Sequence, residues 1–226
     1  METKIPFTSY DFWAYLSAGF LLLVTADYVA GSKLLTRDTW TVVQGVVAFS
    51  CAYVAGHVIA SLSSFLFERL LVGKLLGTPK DVLFGATKAP RFIKFLLSGY
   101  FQPLPDETTN LVHSKAASMN AGASSESRFQ VAFTSIKTTP AVLARLDNFL
   151  NMYGFCRNVA LVSFLDAALL YWFWRWGGGT AEALTGVYVA LALGVGMTLR
   201  YLKFFRQYAS EVFNSFAYAK EPEKAK

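Results

Sequence analysis

The chain has 226 residues, of which 54% are hydrophobic and only 16% are charged. Soluble domains carry about 25% charged residues, so this composition argues against a water-soluble globular protein and points to lipid. The 21 basic and 15 acidic residues give a formal net charge of +6, which suits contact with anionic lipid headgroups.

Four stretches of low charge reach the roughly 20 residues that a helix needs to cross a bilayer. They cover about 10–31, 40–62, 157–176 and 181–200. Short links at 33–38 and 177–180 join them in pairs, and links of this length favour antiparallel helical hairpins. The predicted fold is an all-α membrane protein with four transmembrane helices arranged as two antiparallel hairpins.

The first stretch has a competing interpretation as a cleaved signal peptide, because Lys4 precedes an apolar run that ends in small residues. Asp11 and Trp13 are unusual in signal peptides, and cleavage would leave an uneven number of spans. We therefore expect a span that is retained.

Basic residues are distributed unequally between the two sides of the predicted bilayer. If the N-terminus is cytoplasmic, the short links hold Lys33, Arg37 and Arg175, three of the 21 basic residues, and the other 18 lie on the inner side. The positive-inside rule then predicts that both termini are cytoplasmic. We expect a multi-pass membrane protein.

Three of the predicted helices extend beyond the membrane. The second continues to about residue 71, the third begins near Thr139 and Pro140, and the fourth runs to about residue 218. Together they predict a cytoplasmic stalk. The chain then divides into segments 1–71, 72–139 and 140–218 and a charged tail at 219–226.

The middle segment, 72–139, has two parts of different composition. Residues 88–101 are basic and apolar but too short to span, which predicts an amphipathic helix in the inner membrane interface. A helix packed on the stalk is the alternative. Residues 113–128 are rich in Ser, Ala and Gly without periodicity, so they predict a flexible loop.

Small residues recur at every fourth position in two spans, a spacing that lets helices approach closely in lipid. They are Ala48, Ala52, Gly56 and Ala60 in the second span and Gly186, Ala190 and Gly194 in the fourth. We predict that both ridges are helix contact faces. The pattern leaves open whether the contacts form within one chain or between chains.

Ionisable residues within lipid are costly, and four of them fall at one depth near the cytoplasmic interface. Asp11, His57, Arg157 and Arg200 lie roughly 25 to 28 Å from the outer edge at the rise of an α-helix. In one interpretation the arginines extend to the headgroups and Asp11 neutralises them. In the other, the four form a buried hydrogen-bonded cluster whose protonation or occupancy matters.

Two further polar features lie within the spans. Ser61, Ser64 and Glu68 follow His57 at offsets of four, seven and eleven, which predicts a polar stripe on one helical face. Asp166 lies about ten residues from the outer edge, close to mid-bilayer. We expect its carboxyl to be neutral, to face a polar interior or an oligomer axis, or to bond a neighbouring helix.

Sequence patterns of known catalytic and metal sites are absent from the chain. Two histidines cannot supply a multi-histidine site, and the histidines and the two cysteines, Cys51 and Cys156, lack the spacing of zinc ligands. No phosphate-binding glycine loop and no Gly-x-Ser-x-Gly elbow occurs. We expect no catalytic residue, metal or cofactor, and no direct nucleic acid binding.

Four sequence stretches carry a family resemblance: YDFWAYLSAGFLLL at 10–23, YVAGH at 53–57, MYGFCRNVAL at 152–161 and LRYLKFFRQYASEVF at 199–213. They resemble a group of small, uncharacterised bacterial inner-membrane proteins with four spans. In architecture the chain is also similar to membrane subunits of antiviral defence systems. That similarity implies an oligomeric sensor or pore-like effector with a soluble partner.

Two functional hypotheses follow. The first is an oligomeric, non-enzymatic membrane component, acting as scaffold, sensor or channel-like effector, that binds a cytoplasmic protein through its stalk and basic inner surface. The second is an integral membrane enzyme or proton-coupled transporter that uses His57, Asp11 and Asp166.

Overall fold

The computed structural model describes residues 11–35, 37–87 and 89–219, without the side chains of Asp11 and Phe12. All regular secondary structure in these ranges is helical. The α-helices are α1 (Ser17–Ala30), α2 (Val42–Ser63), α3 (Pro79–Val82), α4 (Arg91–Leu96), α5 (Ser98–Phe101), α6 (Asp106–Ser118), α7 (Ser125–Ile136), α8 (Pro140–Trp176) and α9 (Ala181–Tyr218). A π-helical turn, Asp11–Leu16, precedes α1, and a π-helical segment, Ser64–Leu76, continues α2.

Four of the described helices are long and apolar enough to cross a membrane. Their bounds are Trp13–Ala30, Val42–Val82, Pro140–Trp176 and Ala181–Tyr218. The first two overlap the predicted spans 10–31 and 40–62, and the last two contain the predicted spans 157–176 and 181–200. The prediction of an all-α, multi-pass membrane protein is confirmed at this level.

Local sequence explains where the first two spans end and begin. Gly31 ends α1 in the left-handed conformation, at a φ of 63°, which glycine adopts without steric cost. Thr41 caps α2: its hydroxyl accepts the Gln44 N–H at 3.3 Å, and the Gln44 side chain accepts the Thr41 N–H at 3.1 Å. This reciprocal pair is a capping box, and it satisfies two backbone donors that an uncapped helix leaves unpaired.

The chain folds into two compact units. We call the first the span unit, formed by Met1–Glu68 and Asn151–Tyr201, and the second the helical domain, formed by Arg69–Leu150 and Leu202–Lys226. The predicted separation of 72–139 from 140–218 differs from this division. The start of α8 and the end of α9 belong to the helical domain because their apolar faces contribute to its core.

The helical domain has an apolar core drawn from four of its helices, the segment before α4 and the segment after α5. Its buried members are Leu83, Leu104, Val112, Ala116, Ala132, Ile136, Val142, Leu146, Ala209, Val212, Phe213, Phe216 and Ala217. The Phe213 ring lies at the centre, with the rings of Phe84 and Phe129 at centroid distances of 4.9 and 5.7 Å. Lys115 of α6 donates to the carbonyls of Ala217 and Ala219 at 2.7 Å each, which joins α6 to the end of α9.

The predicted flexible loop at 113–128 is instead the end of α6, a short turn and the start of α7. Asn120, at a φ of 56°, lies in the turn, and the Ser124 hydroxyl accepts the Ser127 N–H at 3.1 Å to cap α7. The prediction was wrong because the stretch is rich in alanine and serine, and its buried residues, such as Ala116, are too few and too small to give a visible period.

The predicted interfacial helix at 88–101 is divided between α4 and α5; Lys88 lies outside the described residues. Leu97 separates the two helices with a φ of −111°. Tyr100 is buried and donates its hydroxyl to the Gly77 carbonyl at 2.8 Å, which attaches α5 to the domain. Phe92 and Phe95 of α4 are exposed, Phe95 to 84%. The segment is therefore packed at one end and apolar on its surface at the other.

Candidate functional site

The predicted ridge of the second span contacts α1 and the turn before it within the same chain. A Cβ atom added to Gly56 would lie 1.9 Å from the Tyr15 carbonyl oxygen, and one added to Gly19 would lie 1.7 Å from the Ala52 carbonyl oxygen. Ala52 and Ala60 are buried, and Ala48 is half-buried. Only glycine permits backbones to approach this closely in lipid.

The ridge of the fourth span contacts α8. A Cβ atom on Gly194 would lie 2.8 Å from the Phe164 ring, and one on Gly186 would lie 3.0 Å from Leu170 Cδ1. Ala190 is half-buried. Of the four spans, that of α8 is the most buried, at 67% of its apolar stretch, so it occupies the interior of the span unit.

A group of bonded polar side chains joins α2 and its π-helical continuation to α8 inside the span unit. We call it the Arg157 cluster, and it consists of Ser63, Ser64, Glu68, Arg157 and Asn158. Arg157 is 8% exposed, and Asn158 and Ser63 are fully buried. Groups this polar are rarely buried unless they are paired.

The bonds of the Arg157 cluster use most of its donors and acceptors. Arg157 pairs through Nη1 with Glu68 Oε1, and its Nε–H is directed at Ser63 Oγ at 3.0 Å. Its Nη2 donates to Asn158 Oδ1 at 3.3 Å, and the Ser63 hydroxyl donates to the same oxygen at 2.6 Å. The other Glu68 oxygen accepts the Ser64 hydroxyl at 3.2 Å.

The cluster also reaches the first span. Asn158 Nδ2 donates to the Ala14 carbonyl oxygen at 3.4 Å. The Tyr153 ring covers the guanidinium carbon of Arg157 at 6.0 Å, within the range of a cation–π contact. One buried side chain, Asn158, thus connects helical segments from three of the four spans, because its amide can donate and accept at once.

Of the four residues predicted to share one layer, Arg157 belongs to this cluster and His57 does not. The Asp11 side chain lies outside the described residues. His57 is exposed and stacks on the Tyr15 ring at a centroid distance of 4.1 Å. Arg200 lies beside the Cys156 thiol. Equal depth does not ensure contact, because His57 precedes Ser63 by six residues, which places the two roughly 240° apart around α2.

The predicted polar stripe is divided in the same way. The exposed Ser61 hydroxyl donates to the His57 backbone carbonyl at 3.1 Å, whereas Ser64 and Glu68 belong to the Arg157 cluster. The π-helical segment that begins at Ser64 has a wider turn, which rotates the residues after it, Glu68 among them, relative to an α-helix. An α-helical projection of the sequence misses this rotation.

Asp166 lies on α8 and is 6% exposed. Its carboxyl is hydrogen-bonded by Thr25 of α1, which agrees with the expectation of a bond to a neighbouring helix. Its Oδ1 atom is buried and has no hydrogen-bond partner among the described residues. One oxygen of this carboxyl therefore retains bonding capacity.

Sequence reasoning missed five buried polar residues: Asp27, Ser63, Thr108, Asn158 and Ser163. Asp27 orders the link after α1, since its carboxylate accepts the backbone N–H groups of Leu34 at 2.8 Å and Leu35 at 3.0 Å, and also the Ser32 hydroxyl. An asparagine next to an arginine inside a span, and an aspartate one turn before a link, were available signals.

The described residues and the comparisons with known proteins indicate neither a metal site nor a related family. Among the described residues, no group of three or more His, Cys, Asp or Glu side chains is arranged to hold a metal ion. No protein family model, curated protein or solved structure matches the chain.

Proposed function

We propose that this protein is a non-enzymatic, oligomeric component of the bacterial inner membrane, whose spans hold a cytoplasmic helical domain that binds a protein partner. The observation that carries the proposal is the Arg157 cluster. Its charged and polar groups bond one another across helices, so they stabilise the span unit. In an enzyme or transporter, such groups would be directed at a substrate space.

The topology of the proposal has separate support. Close contacts of α2 with α1 at Gly19 and Gly56, and of α9 with α8 at Gly194, favour two antiparallel hairpins. The α8 and α9 helices extend past the predicted membrane edge, as a stalk requires, and α6 and α7 enlarge that stalk. Basic residues outnumber acidic ones in the helical domain, which favours a cytoplasmic position.

The surface of the helical domain offers two features for recognition. The exposed rings of Phe92 and Phe95 lie beside Arg91 and Lys94, a combination that suits the interface of an anionic leaflet. The rest of the domain surface is available to a soluble protein. A role as sensor or effector in antiviral defence is the most specific form of this proposal, and it rests on the architectural similarity alone.

Assembly of the full chain in mild detergent tests the proposal. Native mass spectrometry should find a single oligomer of fixed number, and Arg157→Gln should reduce its yield more than the matched surface change Arg175→Gln. Cross-linking in the intact membrane should join the helical domain to one soluble protein in fixed proportion. A monomer that cross-links to no soluble protein would overturn the proposal.

One observation favours the second candidate, a proton-coupled transporter. The Asp166 carboxyl is buried at mid-span and keeps one oxygen without a partner among the described residues. His57 and Asp11 would complete a proton path in this scheme. Replacing Asp166 by Asn and His57 by Ala should then abolish proton-driven uptake into vesicles while the oligomer stays intact. Loss of the oligomer alone would assign both residues to packing.

A further inference from the structure

The link between α1 and α2 covers an apolar cavity of about 540 Å³. The two helices are in backbone contact at Gly19 and Ala52, and the cavity lies between their portions nearer the link. Leu23 and Ala30 line it from α1, and Val43, Val47 and Cys51 line it from α2. Its volume is within the range of small-molecule sites, roughly 300 to 1,000 Å³.

The polar groups at the link end of the cavity differ in how many hydrogen-bond partners they have. Asp27 borders the cavity, but its carboxylate already accepts two backbone N–H groups and the Ser32 hydroxyl. Arg37 also borders it, and its Nε atom is buried without a hydrogen-bond partner among the described residues. A buried donor without a partner is unfavourable, so an acceptor supplied from outside the chain would stabilise it.

We propose that this cavity holds one acyl chain of a membrane phospholipid, whose phosphate group accepts hydrogen bonds from Arg37. The apolar length from Val43 to Cys51 is about 12 Å at the rise of an α-helix, which matches a large part of an acyl chain. A guanidinium binds phosphate through directed, charge-assisted hydrogen bonds. The Trp40 ring at the same end suits the membrane interface, where the headgroup lies.

The charges of the link indicate which phospholipids can bind. Lys33 and Arg37 are balanced by Asp27 and Asp38, so the link has no excess positive charge. Recognition then depends on the phosphate group and not on the net charge of the headgroup. We expect zwitterionic and anionic phospholipids to be retained to a similar degree. The inference requires only that the spans lie in a bilayer, so it is independent of the proposed partner and oligomer.

Native mass spectrometry of the full chain, purified in mild detergent and washed to remove loosely bound lipid, tests the inference. The unaltered chain should retain one phospholipid per chain. Arg37→Gln should weaken retention about tenfold. Arg175→Gln, the same charge change in the link between α8 and α9, should leave retention unchanged. Inorganic phosphate added to the delipidated chain should not bind, since it lacks the acyl chain that fills the cavity.

A cavity-filling substitution separates the acyl chain from the headgroup. Ala48→Phe places a ring in the cavity and should abolish retention, whereas Ala183→Ser on α9 should not. If Ala48→Phe fails to fold, the Arg37 and Arg175 pair decides alone. Absence of a retained phospholipid in the unaltered chain, or equal loss in Arg37→Gln and Arg175→Gln, would overturn the inference.

Discussion

The two units of this protein bury and expose opposite kinds of side chain. The helical domain buries aromatic and aliphatic groups, with Phe213 fully enclosed. The span unit exposes its apolar groups, such as Val42 at 84%, and buries Arg157, Asn158 and Asp166. In water, apolar burial drives packing, whereas in lipid that drive is lost and helices associate through close backbone contacts and polar bonds. The span unit has the surface and interior expected in lipid, and the helical domain has those expected in water.

The largest predicted effect is a loss of core packing in the helical domain. Phe213→Ala removes a fully buried ring and should lower the domain's free energy of unfolding by about 4 kcal/mol. Hydrogen exchange of the α6 and α7 amides measures this loss. The exposed ring of Phe95 serves as the control, since Phe95→Ala should change exchange little. Similar effects of both substitutions would show that the core is not formed as described.

The second prediction concerns the Arg157 cluster. Arg157→Gln leaves Glu68 without its ion pair and should destabilise the span unit by about 2 to 3 kcal/mol. The value is below that for a fully buried pair because the Glu68 side chain is 31% exposed. Thermal unfolding of the chain in detergent gives the measurement. A change no larger than that of the exposed Arg175→Gln would contradict the assignment.

The third prediction tests the close contact between the first two spans. Gly56→Ala puts a methyl group 1.9 Å from the Tyr15 carbonyl oxygen, so the helices must separate, at a cost of about 1 to 3 kcal/mol. Gly45→Ala on the same helix is the matched control, since its added methyl meets no atom within 4 Å. Equal melting temperatures for the two variants would argue against the contact.

A smaller effect is expected where α5 meets the rest of the domain. Tyr100→Phe removes the hydrogen bond to the Gly77 carbonyl and should cost about 1 kcal/mol. Burial, and then the negative charge of Asp81, raise the pKa of Tyr100 above its usual value of 10.0. A raised pKa in the folded state means that its contribution is present below pH 10 and is lost as pH rises through the folded-state pKa. Unfolding at neutral and alkaline pH, with and without the substitution, measures both effects.

The smallest predicted effect is the pH dependence contributed by His113. The His113 side chain is exposed, but partial desolvation, and then the charge of Arg128, lower its pKa below the usual 6.5, and its ring lies 5.3 Å from that of Phe84. The unfolded chain binds the proton more readily, so this contribution is present above pH 6.5 and is lost as pH falls through the folded-state pKa. His113→Gln should flatten that part of the stability profile. An unchanged profile would contradict the assignment.

The difference between the two units also explains which features could be predicted from the sequence. The four spans were predictable because lipid imposes a length and a hydropathy that are visible in one dimension. The core of the helical domain was not, because small residues such as Ala116 and Ala132 give little periodic signal. Each of α6 to α9 contributes two or more apolar residues to a shared centre, and those of α9 lie more than 60 residues along the chain from those of α8.

Candidate site residues were predictable by type and depth but not by direction. Arg157 and Glu68 were both recognised from the sequence, yet only the structure shows that they form an ion pair. It also shows that Asn158 of α8 bonds the first span. His57 has the same depth and a different partner, Tyr15. The π-helical turn at Ser64 changes the direction of the residues that follow, and sequence patterns based on the α-helix do not include it.

A double-mutant cycle on Arg157 and Glu68 measures whether the charged groups of the span unit bond one another and so stabilise the packing of its helices. Unfolding would be measured for Arg157→Met, Glu68→Met and the double variant, with oligomer mass as a second readout. Each single change should lower the free energy of unfolding, and the double change should restore much of that free energy because no unpaired charge remains. Purely additive losses, or a double variant that retains the oligomer while a measured transport activity disappears, would contradict this interpretation.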